Sequence, residues 1–168
     1  YDGKAFLCTA MVRLVDKLGY GLDVVSKGEI ETALAANFKG SIYLHGNNKT
    51  DEELALAVKH NLKVVADNQQ DLERLVQLHS KTERTTPTEV LLRIIPGIDL
   101  DTHDHIKTGH DTSKFGIPLS QLNDTIAYCL SEKSIKLMGL HAHIGSQAMD
   151  LEPFQQVIEV FADIYEEV

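Results

Sequence analysis

Cysteine is scarce: Cys8 and Cys129 are the only two in 168 residues. Two thiols build neither a disulfide framework nor a cysteine-based metal motif, and a reducing cytoplasm is the expected compartment. Basic residues are also in deficit, 16 against 25 acidic ones, for a net charge of -9. That argues against the clustered Lys/Arg surface of a nucleic-acid binder but not against a small anionic ligand at a local site. No apolar run reaches the roughly 18 residues of a membrane-spanning helix, so no membrane partner is expected. No positively charged, apolar leader opens the chain. It begins on Tyr1 rather than Met, so a preceding segment is expected to be missing. Gly-x-Gly-x-x-Gly and P-loop signatures are absent, which argues against dinucleotide and nucleoside-triphosphate folds. No helical pattern carries His-x-x-x-His or His-Glu-x-x-His spacing.

What is present is a repeat. Short runs rich in Val, Ile and Leu recur at 21–26, 41–46, 62–68, 89–97 and 136–145. Each is close to continuously apolar, the pattern of parallel strands buried on both faces. Helical patterns separate them. In 7–18, Leu7, Met11, Leu14, Val15 and Leu18 fall at helical spacing. Ser26 with Glu29, and Thr50 with Glu53, read as capping boxes that open two further helices. Asn68 is a candidate N-cap for a helix through Leu72, Leu75 and Val76. Pro118 and Ser120 open a helix with Leu122, Ile126 and Leu130; Asp150 and Pro153 open the last, with Phe154, Val157, Ile158 and Phe161. A first strand would end within Tyr1–Lys4. Strand–helix alternation without a break predicts an α/β fold with a parallel sheet. A (β/α)₈ barrel of the TIM type needs roughly 250 residues and eight strands. Residues 1–168 therefore read as one incomplete barrel domain of about six β/α units, with no linker or second domain boundary.

In such barrels the chemistry sits at the C-terminal ends of the strands. Those ends carry Lys4, Asp23 and Ser26, then His45 with Asn47 and Asn48. Asp67 and Asn68, Arg93, and His141 and His143 follow on the later strands. Six strands delivering polar groups to one rim point to a ligand site. His141 and His143 lie two apart on a strand and so face the same side, which leaves a metal pair open as an alternative. The segment 96–117 lacks strong periodicity and reads as a rim loop. Its Asp99, Asp101, His103, Asp104, His105, His110 and Asp111 are read as a solvated loop rather than a metal cluster.

"YDGKAF", "GLDVVSKGE", "YLHGNNK", "LLRIIPGID", "TGHDTSKFGI" and "GLHAHIGSQ" occur in a specific order and spacing. In that combination the chain resembles the diaminopimelate decarboxylase family over essentially its whole length. "HIGS" alone is shared loosely with ornithine and arginine decarboxylases. The resemblance implies a pyridoxal 5'-phosphate enzyme whose alanine-racemase-type barrel carries a C-terminal β domain. It implies a cytoplasmic homodimer that decarboxylates meso-2,6-diaminopimelate to L-lysine and CO₂ at the end of lysine biosynthesis. A related basic amino-acid decarboxylase, a silent homologue that binds the cofactor, and a metal-dependent hydrolase remain alternatives. The N-terminal segment and the β domain would lie outside this chain, and the chain by itself is expected to be inactive.

The resemblance places the Schiff-base lysine at Lys4; a lysine in a barrel mouth can lose its proton on partial desolvation and attack an aldehyde. It assigns His143 to stacking on the cofactor ring, with His141 deeper in the interior. Gly145 and Ser146 fall at the phosphate, Arg93 at the cofactor, and Asp23 and Glu29 at site carboxylates. Glu29 equally completes its capping box. No metal is implied. Asp2 stands where the family usually has Ala, Lys27 where many members have Gly, and Asn37 where Gly is common.

Overall fold

A computed structural model of the chain describes residues 1–98, 115–145 and 151–167. Helices and strands alternate in the order α1 (Thr9–Lys17), β1 (Leu22–Val24), α2 (Lys27–Ala35), β2 (Ile42–Leu44), α3 (Asp51–His60) and β3 (Lys63–Ala66). Then come α4 (Gln69–Ser80), β4 (Thr88–Ile95), β5 (Ile117–Pro118), α5 (Leu119–Ser131), β6 (Ile135–His141) and α6 (Glu152–Glu167). The sheet is parallel throughout, β1-β2-β3-β4 in sequence order, with β5 and β6 both paired to β4.

The helix starts follow local chemistry. Thr50 and Glu53 form a complete capping box at α3, and the Asn68 side chain accepts from the Asp71 N–H at α4. At α2 the Ser26 hydroxyl accepts from the Glu29 N–H, but Glu29 reaches Val25 N–H, one residue before the cap. Such caps satisfy backbone donors that the first helical turn leaves free. Asn37 has φ 58°, a left-handed conformation that Gly adopts freely and Asn tolerates. The departure from the family's usual glycine there is therefore conformationally permitted.

Four expectations need correction. Tyr1–Lys4 is no strand: it contributes a single parallel bridge, Asp2 to Asp23. The sixth strand is instead Ile117–Pro118, where Pro118 both ends β5 and serves as the N-cap of α5. In α1 the buried residues are Val12 and Val15, while Leu14 and Leu18 are 49% and 59% exposed. Two apolar stripes compete on that helix, and the one carrying Val12 joins the core. Finally, the strands are not buried evenly on two faces. β1 and β2 alternate buried, half-buried, buried, and β4 repeats that alternation along its length. Their outer residues pack with Ile30, Leu54 and Leu72 from the helices in one core. Their inner residues are polar or partly open, and that open side holds the site. Cys8 and Cys129 are both free. No helix among the described residues is long and apolar enough to cross a membrane.

Candidate functional site

Side chains from β1, β4 and β6 and from the segment that follows β2 meet in one cavity of about 610 Å³ at the C-terminal ends of the strands. That size lies within the range of small-molecule pockets. Lys4, Asp23, Arg93 and His143 all line it. His45, Asn47, Asn48 and His141, candidates from the strand ends, line it too. Ser26 and Asn68 are not among its lining residues; both are committed to helix capping. Glu29 is likewise absent from the lining, its carboxylate accepting from Val25 N–H at 2.6 Å. Gly145 is exposed, with φ 114°. Ser146 lies outside the described residues, as do Asp99 to Asp111 of the rim segment.

The segment bearing Lys4 is stitched to β1. Asp23 N–H donates to Tyr1 O at 2.8 Å, and Gly3 N–H donates to Asp23 O at 2.9 Å. A Cβ at Gly3 would stand 2.8 Å from that same carbonyl, so the close approach requires glycine. Asp2 accepts from the Lys4 backbone N–H at 2.9 Å. Its carboxylate thus has a local backbone partner beside the lysine. The Lys4 side chain is exposed at the cavity.

A histidine pair also lines the cavity. His45 Nε2 lies 3.4 Å from Asp23 Oδ1. The His45 and His141 rings meet edge to face, 4.9 Å between centroids. Burial pushes the Asp23 carboxyl up, but the hydrogen bond and charge of His45, with smaller contributions from neighbouring positive charge, leave it below the usual carboxylate value. Burial, then the charges of His45, Arg93 and His143, push His141 down to about 4. His141 is therefore a neutral imidazole at ordinary pH. Its Nδ1 is buried without a hydrogen-bond partner among the described residues.

His141 owes its place to a bulge. β4 and β6 pair Val90 with Leu137 but Leu91 with Gly139, so Met138 is extra. Beyond it, Arg93 is matched with His141. Uninterrupted register would have set Leu140 beside Arg93, since one residue of slip reverses the faces of a strand.

Arg93 is held from behind. Its NH1 donates to Asp67 Oδ1 at 2.9 Å, with side-chain exposures of 19% and 5%. The Phe115 ring centroid lies 5.6 Å from the guanidinium. Lys49, which sequence reasoning missed, also lines the cavity. Its ammonium donates to Asp71 Oδ2 at 2.8 Å and Gly46 O at 2.6 Å, and the ion pair is almost fully buried. Lys49 ends the "HGNNK" stretch, but its partner is 22 residues away, so only the motif could have flagged it. Among the described residues no three His, Cys, Asp or Glu side chains form a group that could hold a metal ion.

The chain is similar to curated proteins of known name. It is 44% identical over 158 residues to diaminopimelate decarboxylase of Bacillus subtilis, covering 92% of this chain and 36% of that protein. The Synechocystis enzyme of the same name is 39% identical over 169 residues, covering 95% of this chain and 36% of that protein. The chain thus spans little more than a third of the length of these relatives. Among solved structures, diaminopimelate decarboxylase from M. jannaschii in complex with L-lysine superposes with a TM-score of 0.84 at 31% identity. That match covers 99% of this chain and 40% of the other. The Helicobacter pylori enzyme complexed with L-lysine gives 0.84 at 29% identity, covering 99% and 42%. These likenesses identify the sheet and its helices as part of a β/α barrel. The cavity suits a pyridoxal group: it offers an accessible primary amine, a guanidinium, an open imidazole and a desolvated nitrogen without a partner. With residues 1–168 matched by the family described as pyridoxal-dependent decarboxylase, pyridoxal binding domain, the chain belongs to the pyridoxal-dependent decarboxylases.

Proposed function

We propose that the full-length protein carrying this chain converts meso-2,6-diaminopimelate to L-lysine and CO₂ with pyridoxal 5'-phosphate. The carrying observation is the convergence of Lys4, Arg93 and His143 on one cavity in a chain 44% identical to a diaminopimelate decarboxylase. Residues 1–168 are then an incomplete stretch of a barrel domain, with an N-terminal segment and a C-terminal β domain outside this chain. The working enzyme is a cytoplasmic homodimer, and its substrate is a small amino acid.

In this reading Lys4 is the residue whose amine would hold the cofactor covalently. The exposed His143 ring supplies a flat face for the pyridine. Gly145 and Ser146 are the residues assigned to the phosphate, which a backbone N–H and a hydroxyl would bind. Arg93 donates to an anionic oxygen of the bound molecule. Asp23 remains ionised, through His45, beside the Lys4 segment and balances the cationic groups around it. Pyridoxal phosphate supplies the electron sink that takes up the pair left by departing CO₂.

The test is direct. The full-length protein is loaded with pyridoxal phosphate, and CO₂ and lysine are measured from meso-diaminopimelate. Borohydride reduction and peptide mapping then locate the cofactor. Turnover with label on Lys4 supports the reading. Turnover only with ornithine or arginine, or label on Lys27, Lys49 or Lys114 with Lys4 unlabelled, overturns it.

A further inference from the structure

Asp67 lies at the C-terminal end of β3, 4% exposed, and is not among the residues lining the cavity. It nonetheless joins three pieces of the cavity wall. Oδ1 accepts from Arg93 NH1 on β4 at 2.9 Å. Oδ2 accepts from Gly116 N–H at 3.2 Å, beside the Phe115 ring that faces the guanidinium. The Asp67 backbone N–H donates to Asp71 Oδ2 at 3.1 Å, the oxygen that also takes the Lys49 ammonium. Gly116 has φ 100°, and a Cβ there would stand 3.3 Å from the Arg93 carbonyl. The 115–116 backbone therefore approaches β4 more closely than a larger residue allows.

Arginine is long and rotamer-rich, and its five N–H donors lie in one rigid plane. A guanidinium fixed at one nitrogen, with a ring nearby, presents its remaining donors in a set direction. We propose that Asp67 is a positioning residue: it touches no ligand itself and sets the Arg93 guanidinium in the cavity for an anionic oxygen of the bound cofactor. The inference rests on the pyridoxal-phosphate reading of the cavity. Asp71 supports the arrangement by holding the Asp67 backbone through Oδ2, the oxygen it shares with Lys49, while Arg74 lies 3.7 Å from its Oδ1.

The experiment is a double-mutant cycle in the full-length protein, read as the dissociation constant for pyridoxal phosphate by fluorescence titration. Asp67→Ala should weaken binding about tenfold, the scale of losing one charge-assisted alignment. Asp67→Asn keeps an oxygen acceptor and should recover most of that loss. In an Arg93→Ala background, Asp67→Ala should change affinity by less than about twofold, because the residue it acts through is gone. A merely structural role would weaken binding by the same factor in both backgrounds, and that result overturns the proposal. So does an Asp67→Ala protein that binds as tightly as wild type. If Asp67→Ala does not fold, the structure of the wild-type protein with pyridoxal phosphate decides. Arg93 on Asp67 through one nitrogen and on the cofactor through another supports the proposal; Arg93 turned away from Asp67 overturns it. A wild-type protein that binds no pyridoxal phosphate removes the reading beneath and this inference with it. A wild-type protein that binds, with Asp67 variants that bind equally, removes the inference alone.

Discussion

The two faces of the sheet are made by the same strands and have opposite chemistry. Toward the helices it presents Leu22, Val24, Ile42, Leu44, Val64, Val90 and Leu92, none more than 8% exposed. Register sets these side by side, Leu22 with Ile42, Leu44 with Val64 and Val64 with Val90. The alternate residues form the other face: Asp23 beside Tyr43, Tyr43 beside Lys63, and Arg93 beside His141. Its charges are partnered, Glu89 with Lys136 at 3.0 Å and with Lys63 at 3.6 Å, and Asp23 with His45. Period-two alternation lets one strand serve the core with even positions and the site with odd ones. Stability and ligand chemistry should therefore respond to different substitutions, even at adjacent residues.

The sharpest separation is at Lys4. Lys4→Ala should abolish decarboxylation by the full-length protein while leaving its melting temperature unchanged, because the side chain is exposed and supplies only the amine. Assayed CO₂ release and thermal denaturation check both halves. Asp71→Ala should break the comparison from the other direction, as a polar residue that the fold depends on. It leaves the Lys49 ammonium buried without its carboxylate, a loss of about 3–5 kcal/mol, read by urea unfolding. Leu44→Ala, on the helix-facing side, should cost about 2–5 kcal/mol by the same measurement.

Acid should act through the inner face. His141 is neutral in the fold down to about pH 4, whereas an unfolded histidine takes its proton near 6.5. The unfolded state then binds more protons, so stability falls as pH drops through that window and is fully present above it. Solvent screening at this partly open site holds the loss by pH 4 to about 1–2 kcal/mol, and His141→Leu should flatten the dependence in melts run from pH 7 to 4. Tyr43→Phe, the immediate neighbour of Leu44, should cost less than about 1 kcal/mol, since it removes only a 3.4 Å hydrogen bond from Lys63. A Tyr43→Phe loss matching that of Leu44→Ala would erase the distinction between the faces.

Legibility followed the range of the interactions. The caps by Ser26, Thr50 and Asn68 each join residues three apart, and all three were readable as short strings. Asp23, Arg93 and His143 were readable as motif positions at strand ends and Lys4 as a motif position alone, and the four share one cavity. The exposed face of α1 was misread because its two apolar stripes differ in nothing the sequence displays. β5 was missed because two residues carry no periodicity.

The amino-acid order by itself determined the alternation of helices with β1, β2, β3, β4 and β6, the helix starts, and the polar residues at the ends of those strands. Those depend on neighbours within about one helical turn or one pleat. Tertiary structure alone decided that Met138 is looped out of register, that His141 lies beside Arg93, and that Asp67 reaches both Arg93 and Gly116. These contacts join residues 26 to 49 positions apart. Strand register selects such pairs, and register is settled by packing the whole helix-facing side at once, where a slip of one residue would turn Leu and Val toward the cavity and the charged groups into the core.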